Sequence, residues 1–378
     1  MFVFGTILAL PGTVLGQPEV IAQFGLTLAD RGLLISTLFV GLLVGSLASA
    51  PVVDKLGHRA ALAWSSSSVA LCLPLFAAAP TAALAAVSLG MLGVACASLN
   101  TASNALSSTL FPAERGRRMN GIAVMVGLGG LALPLVTALL STVLSWRTAV
   151  VAAGVLAAAV AVLCARLPAA AFDPPKLTST ATAFRHFVRQ PGFGLACVLI
   201  LLGGGNEASL AGWITSYVEL AGVSAPAATW VLSSHWLGLI LARALLLGRV
   251  DRAKESTIRY GAVCGAVLVL LLVVARAPVL LAVIPFAIGM AMALVMPTAL
   301  ALAGDRYPGN PGTLFGMLLT LAQIGGIVLP ASIGWIADAA GARAGMSLIV
   351  VSYGVIGVVI TLFRRQVASG LPVPGASR

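Results

Sequence analysis

Glu207 follows three consecutive glycines, Gly203, Gly204 and Gly205, inside an apolar stretch of the chain. A carboxylate at the centre of a membrane-spanning helix costs about 2.5 to 3.5 kcal/mol on insertion scales, so such a group faces a bundle interior or a wet cavity. The chemistry open to it there is proton uptake and release. Three glycines invite a helix break, which places Asn206 and Glu207 beside a half-helix N-terminus. On an unbroken helix Asn206, Trp213 and Tyr217 share one face, and Glu207 stands about 100° aside. An aromatic ring beside amide and hydroxyl groups suits a sugar, with stacking on its C–H face and hydrogen bonds to its hydroxyls. The alternative is that Trp213 and Tyr217 belong to an interfacial aromatic belt.

Other polar residues stand in equally apolar surroundings. Asn100 and Asn104 are four apart, on one helix face, and serve either as substrate contacts or as interhelical hydrogen bonds of about 0.6 kcal/mol. His235 and Trp236 lie in the middle of another apolar run. A neutral imidazole is cheaper to bury than a carboxylate, so His235 is either a relay partner of Glu207 or a structural residue. Arg243, further along the same run, is expected to snorkel to the membrane edge or to pair with Asp251 or Asp54. Gln17 and Glu19 flank Pro18, and Gln323 precedes a Gly-Gly pair; these complete the candidate binding set.

Enzymatic constellations are missing from the sequence. None of Lys55, Lys176 and Lys254 is followed by Ser or Thr, the three histidines form no HExxH, and the five cysteines have no metal-ligand spacing. No phosphate-binding loop, metal or cofactor is expected, and no enzyme. The cysteines read as small packing residues.

The elements that must position these groups are membrane helices. Of 378 residues, 60% are apolar and 9% charged, and mean hydropathy is +1.06, whereas a soluble domain carries about 25% charged residues. Apolar runs of about 20 residues match helices crossing a hydrocarbon core about 30 Å thick. Twelve are expected, over residues 1–24, 32–52, 60–79, 82–107, 118–141, 146–166, 192–219, 226–247, 259–275, 278–302, 313–337 and 344–363. With Met1 cytoplasmic, 18 of the 22 Lys and Arg fall on the cytoplasmic side, a strong positive-inside bias. Both termini are then cytoplasmic, in a bacterial inner membrane. This accounts for the net charge of +11 without a nucleic-acid partner. The basic loops are placed to meet anionic lipid head groups.

The chain also repeats itself. "GGLALP" at 129–134 returns as "GGIVLP" at 325–330, "FGLT" at 24–27 as "AGVS" at 221–224, Asp54-Lys55 as Asp251-Arg252, and Phe111-Pro112 as Tyr307-Pro308. The offsets are 196, 197, 197 and 196. A Pro-, Ser- and Thr-rich stretch at 167–190 sits near the midpoint. The expected organisation is a six-helix bundle over 1–166, a cytoplasmic linker over 167–190, a second bundle over 191–363 and a tail over 364–378. Each half starts and ends on the same membrane face, so the halves are parallel repeats. The fold class is an all-α membrane protein with two pseudo-symmetric six-helix bundles around a central cavity, which suggests a transporter.

Over nearly its full length the chain resembles the major facilitator superfamily. The resemblance rests on "APVVDKLGHRAAL" at 50–62, its weaker echo "LGRVDRAKES" at 247–256, and "GLGGLALP" at 127–134. Asp54, Lys55, Gly57 and Arg59 fit the family's loop pattern, while His58 replaces one basic residue and Ala50 the leading Gly. The resemblance implies gating contacts for Asp54, Lys55, Arg59, Arg243, Asp251 and Arg252, with Arg59 pairing across the halves in one conformation. "NTASNAL" at 100–106 and "GNEASLAGWITSY" at 205–217 resemble the fucose permease branch of sugar:proton symporters. There Glu207, Trp213 and Tyr217 match, and Asn100 replaces an acidic residue. The expected activity is alternating-access transport of a small sugar-like solute coupled to protons, by a monomer. The alternative is proton-coupled export of amphipathic drugs, metabolites or lipids. The "LPLVTA" sequence after Gly130 departs from the antiporter pattern and favours import.

Overall fold

A computed structural model describes residues 1–110, 115–140, 145–166, 187–250, 253–307 and 311–368, with side chains except at 50–56, 105, 107–110, 115–120, 246–250, 311–313 and 367–368. Among the described residues there are thirteen helices: α1 (Phe2–Val14), α2 (Pro18–Phe24), α3 (Leu28–Ala77), α4 (Ala82–Leu110), α5 (Arg115–Leu139), α6 (Trp146–Ala165), α7 (Phe193–Leu220), α8 (Ala225–Val250), α9 (Lys254–Val274), α10 (Pro278–Met292), α11 (Val295–Arg306), α12 (Pro311–Ala340) and α13 (Ala342–Ala368). Eleven segments among the described residues are long and apolar enough to cross a membrane, with α1 a shorter apolar helix. Helix α3 holds two of them, Leu28–Ser49 and Gly57–Ala77, with a kink at Gly57, where φ is 76° and ψ is 161°. Such a left-handed φ favours glycine.

Two expected helices are each two. The first is interrupted before Pro18, the first residue of α2, whose missing N–H is harmless there. The expected helix over 278–302 breaks at Ala293 and Leu294. Pro297 has no N–H with which to reach the Ala293 carbonyl one turn back. Another side chain takes that carbonyl, as described below. The last helix also runs past its expected end, to Ala368. Residues 167–186 of the expected linker and 369–378 of the expected tail lie outside the described residues.

Helix packing carries the repeat into space. A methyl group built on Gly41 would sit 2.0 Å from the Gly90 carbonyl oxygen, and one on Gly93 2.2 Å from that of Leu38, so α3 and α4 touch backbone to backbone. Helices α8 and α10 touch the same way, with Gly238 2.2 Å from the Phe286 oxygen and Gly289 2.1 Å from that of His235. Leu38, Gly41, Gly90 and Gly93 map onto His235, Gly238, Phe286 and Gly289 at the sequence offsets of 197 and 196. Small residues permit this approach where lipid offers no hydrophobic drive to associate.

The Gly-Gly motifs have the same logic. Gly129 on α5 lies 1.9 Å from the Phe2 oxygen, and Gly325 on α12 lies 1.9 Å from the Leu201 oxygen, each as a built Cβ. The second glycine of each pair faces an aromatic ring of the other half: Gly130 the indole of Trp236 on α8, Gly326 the ring of Phe39 on α3. Helices α3 with α12, and α5 with α8, thus form the seams between halves.

At the end of the bundle that carries Leu28 and Asp338, the halves close on each other. The backbone N–H groups of Leu28 and Ala29 donate to the Asp338 carboxylate at 2.9 and 3.0 Å. The third N–H of α3, that of Asp30, donates to Thr27 Oγ1 at 3.1 Å. Ser36 Oγ donates to the Ile327 carbonyl at 2.7 Å, and Gly12 of α1 abuts the Ala211 carbonyl of α7.

Candidate functional site

Away from that closed end the halves separate around a cavity of about 710 Å³, walled by α1, α3, α4, α5, α7, α8, α11 and α12. Its wall is mostly apolar: Phe4, Leu8, Phe39, Ile122, Met296 and Leu319 are typical of it. The polar groups that reach it are few. Among the described residues they are Asn100 and Asn104 of α4, Glu207 of α7, Arg243 of α8, Thr298 of α11 and Gln323 of α12. Trp236 also borders it, with its ring held against Gly130.

Glu207 is the carboxylate in this wall, with its side chain 31% exposed. Arg243 Nη2 lies 3.7 Å from Glu207 Oε1, an ion pair at long range. Arg243 is held more firmly on its other side, where Nε donates to the Ala293 carbonyl at 3.2 Å. That is the oxygen released by Pro297, so the α10–α11 break supplies the seat for the guanidinium. Among the described residues these two contacts hold the Arg243 guanidinium, while the expected pairing with Asp251 or Asp54 lies outside them. Asp54, Lys55, Asp251 and Arg252 lie outside the described residues or side chains. Arg59 donates to the Ala165 carbonyl at the end of α6, within its own half. Among the described residues it makes no pairing across the halves.

Several sequence candidates sit elsewhere, and packing explains each. Helix α7 is continuous through the glycines, because they admit α12: a Cβ on Gly204 would lie 2.7 Å from Ala322 Cα, and one on Gly205 2.9 Å from the Gly325 oxygen. The expected half-helix N-terminus is therefore not formed. Asn206 turns away from the cavity and is fully buried, and its amide has no hydrogen-bond partner. Trp213 Nε1 donates to the Pro330 carbonyl at 3.2 Å, and the Tyr217 hydroxyl donates to the Val273 carbonyl at 3.1 Å. Both rings are buried, so they form neither a stacking platform in the cavity nor an interfacial belt in this conformation.

His235 Nδ1 donates to the Pro285 carbonyl at 3.1 Å, on the α10 side, and does not line the cavity, so no relay to Glu207 is assembled. Gln17 stands at the N-terminal boundary of α2 without a side-chain capping bond, and its amide donates back to the Thr13 carbonyl at 3.1 Å. Glu19 is exposed on α2. Asn104 Nδ2 donates to Asn100 Oδ1 at 2.8 Å, so the two amides form one paired unit on the wall. Sequence reasoning missed the partnership of Glu207 and Arg243. Its signal was present, since both are charged residues deep in consecutive apolar runs.

The sequence matches the model of the Major Facilitator Superfamily over residues 1–272. The chain belongs to the major facilitator superfamily. Solved structures agree at the level of fold. The nucleoside transporter NupG superposes with a TM-score of 0.78 at 15% identity, covering 97% of each chain. A bacterial homologue of the human lysosomal transporter Spinster, in an inward-facing and occupied conformation, gives 0.76 at 15% identity, covering 100% of this chain and 97% of the other. The E. coli fucose:proton symporter FucP gives 0.67 at 19% identity, covering 96% of each. No curated protein sequence matches. As a superfamily member the chain is a multi-pass membrane protein and a secondary transporter of small solutes, not an enzyme.

Proposed function

We propose that this superfamily member carries a small amphipathic solute by alternating access, with Glu207 taking up and releasing the coupling proton. The cavity supports this reading through one observation: its wall is apolar except for a paired amide unit, a threonine, a glutamine and one ion pair. A sugar presents hydroxyls on every side, and each loses water on entry. A solute with an apolar body and one polar edge leaves far fewer groups unpaired. With Met1 on the cytoplasmic side, as the basic residues indicate, the cavity opens inward and the Asp338 end is the outer gate. A sugar-like solute is the second reading, favoured by the amides of Asn100, Asn104 and Gln323 and by the fold likeness to a fucose:proton symporter.

Proteoliposome transport separates the two. A labelled panel of sugars, nucleosides and aromatic amphiphiles is presented with and without a proton gradient. The expected result is gradient-driven accumulation of amphiphiles that drops to the level of empty liposomes in Glu207→Gln, while exchange of solute down its own gradient persists. Intact gradient-driven accumulation by Glu207→Gln removes Glu207 from the coupling. Accumulation of sugars alone transfers the conclusion to the second reading.

A further inference from the structure

The solute is an organic anion that travels with one proton, we infer, with Arg243 as its anchor and Glu207 as the group whose protonation frees that anchor. This rests on the cavity being the transport site. The two charges are unequal in ways that matter. A guanidinium stays protonated at any physiological pH, whereas a carboxylate can be neutralised. Arg243 is also the fixed member: its Nε is tied to the Ala293 carbonyl and its side chain is 14% exposed against 31% for Glu207. At 3.7 Å the pair is loose, well beyond the 2.7 to 2.9 Å or so of a charge-assisted hydrogen bond.

A proton arriving from water on Glu207 removes the charge that balances Arg243. The guanidinium then stands in an apolar cavity without a counter-ion, which is unfavourable until an anion supplies one. A carboxylate or sulfonate fits the free Nη edge by paired hydrogen bonds. Without the proton, the same anion meets Glu207 as a like charge. Proton and anion therefore bind together, and the loaded cavity carries no more charge than the empty one. A cationic solute fails on the same ground, since pairing it with Glu207 leaves Arg243 unbalanced beside it.

Among the described residues no other ionised side chain of the cavity wall competes for these roles. Facing Glu207, α8 contributes Arg243, and α13 contributes the phenol of Tyr353, which is within electrostatic reach of the carboxylate. Helices α1, α11 and α12 contribute Leu8, Met296 and Gln323. Met1 borders the cavity with its amino group directed toward Cys96 and Cys164, and His235 is engaged with α10. The apolar wall beyond Arg243 suits the hydrocarbon body of such an anion.

The test uses three probes of one shape, titrated onto the purified full chain: naphthalene-2-sulfonate, its neutral sulfonamide, and 2-naphthyltrimethylammonium. The sulfonate keeps its charge at every pH used, so any pH dependence belongs to the protein. Expected is sulfonate binding at least about tenfold tighter than the sulfonamide at low pH. Above the pH at which Glu207 ionises, its affinity weakens by about tenfold per pH unit, the limit for one linked proton. Glu207→Gln is expected to bind the sulfonate tightly with no pH dependence. Arg243→Gln is expected to lower sulfonate binding to the sulfonamide level while leaving the sulfonamide unchanged, which shows that the cavity is intact. Equal binding of sulfonate and sulfonamide, pH-independent sulfonate binding in the unmodified chain, or tightest binding of the ammonium probe each overturns the inference and leaves the cavity reading standing. Binding of none of the three overturns both.

Discussion

Gly325→Val is expected to abolish recovery of a folded, monodisperse chain. The first Cβ atom alone would lie 1.9 Å from the Leu201 carbonyl oxygen and 3.0 Å from the Gly205 backbone nitrogen. Both neighbours are backbone, so no rotamer change relieves the overlap and α7 and α12 must part along their length. Overpacking a tight core costs about 1 to 3 kcal/mol and more where backbone must move, a large share of the stability of any domain. Gly129→Val is expected to fail likewise, since its Cβ meets the Phe2 oxygen at 1.9 Å. The matched control is Gly357→Val, where a built Cβ meets nothing within 4 Å. Size-exclusion profiles after stepwise heating in detergent read the outcome. A wild-type melting curve for Gly325→Val would show that this contact does not hold the bundle together.

That contact shows how the sequence encodes the fold. The two Gly-Gly motifs stand out as a repeat in the linear chain, and composition alone marks the helices as membrane spans. The structure adds why glycine recurs there: one glycine lets two helices of the same half touch, and its neighbour seats a ring from the opposite half. The interruptions were harder to read. Pro18 starts α2, whereas Pro134 and Pro330 lie inside continuous helices. Proline in a membrane helix is tolerated where neighbouring groups satisfy the carbonyl it frees. Near Pro297 that group is Arg243, and no local pattern announces a partner 50 residues away.

The site was legible in part for a related reason. Cost marks Glu207 and Arg243 as interior groups, and both border the cavity together with Asn100, Asn104, Trp236 and Gln323. Helical angle alone placed Asn206, Trp213 and Tyr217 on one shared face, and all three are buried. Which face of α7 looks into the cavity depends on where α12 lies. That is set by Gly204 and Gly205 against Ala322 and Gly325, a tertiary fact. The glycines that seemed to promise a break in α7 are instead the seat of its neighbour.

The second large effect belongs to the closed end. Asp338→Ala removes the two backbone hydrogen bonds by which α12 caps the first turn of α3. Loss of a helix-capping side chain costs about 0.5 to 2 kcal/mol, and here the whole of it falls on one conformation, because the cap and the helix belong to opposite halves. Just inside the cap, Arg31 of α3 is buried and Glu219 of α7 is half-buried, and Arg31 Nε and Glu219 Oε1 have no hydrogen-bond partner among the described residues. Opening this end lets water reach both, which favours separation. The cap therefore opposes a hydration gain, and its removal is expected to shift the balance about 2- to 30-fold toward the state open at this end. Spin labels at the exposed positions Ala78 and Ala339, in a chain lacking its five native cysteines, report that shift as a growing long-distance population. Asp338→Glu, which keeps the charge near the same N–H groups, is expected to lie between the two. An unchanged distance distribution in Asp338→Ala would mean that the hydrogen-bonded cap contributes nothing to closure, leaving the Ser36 contact with α12 and the glycine seams to hold that end.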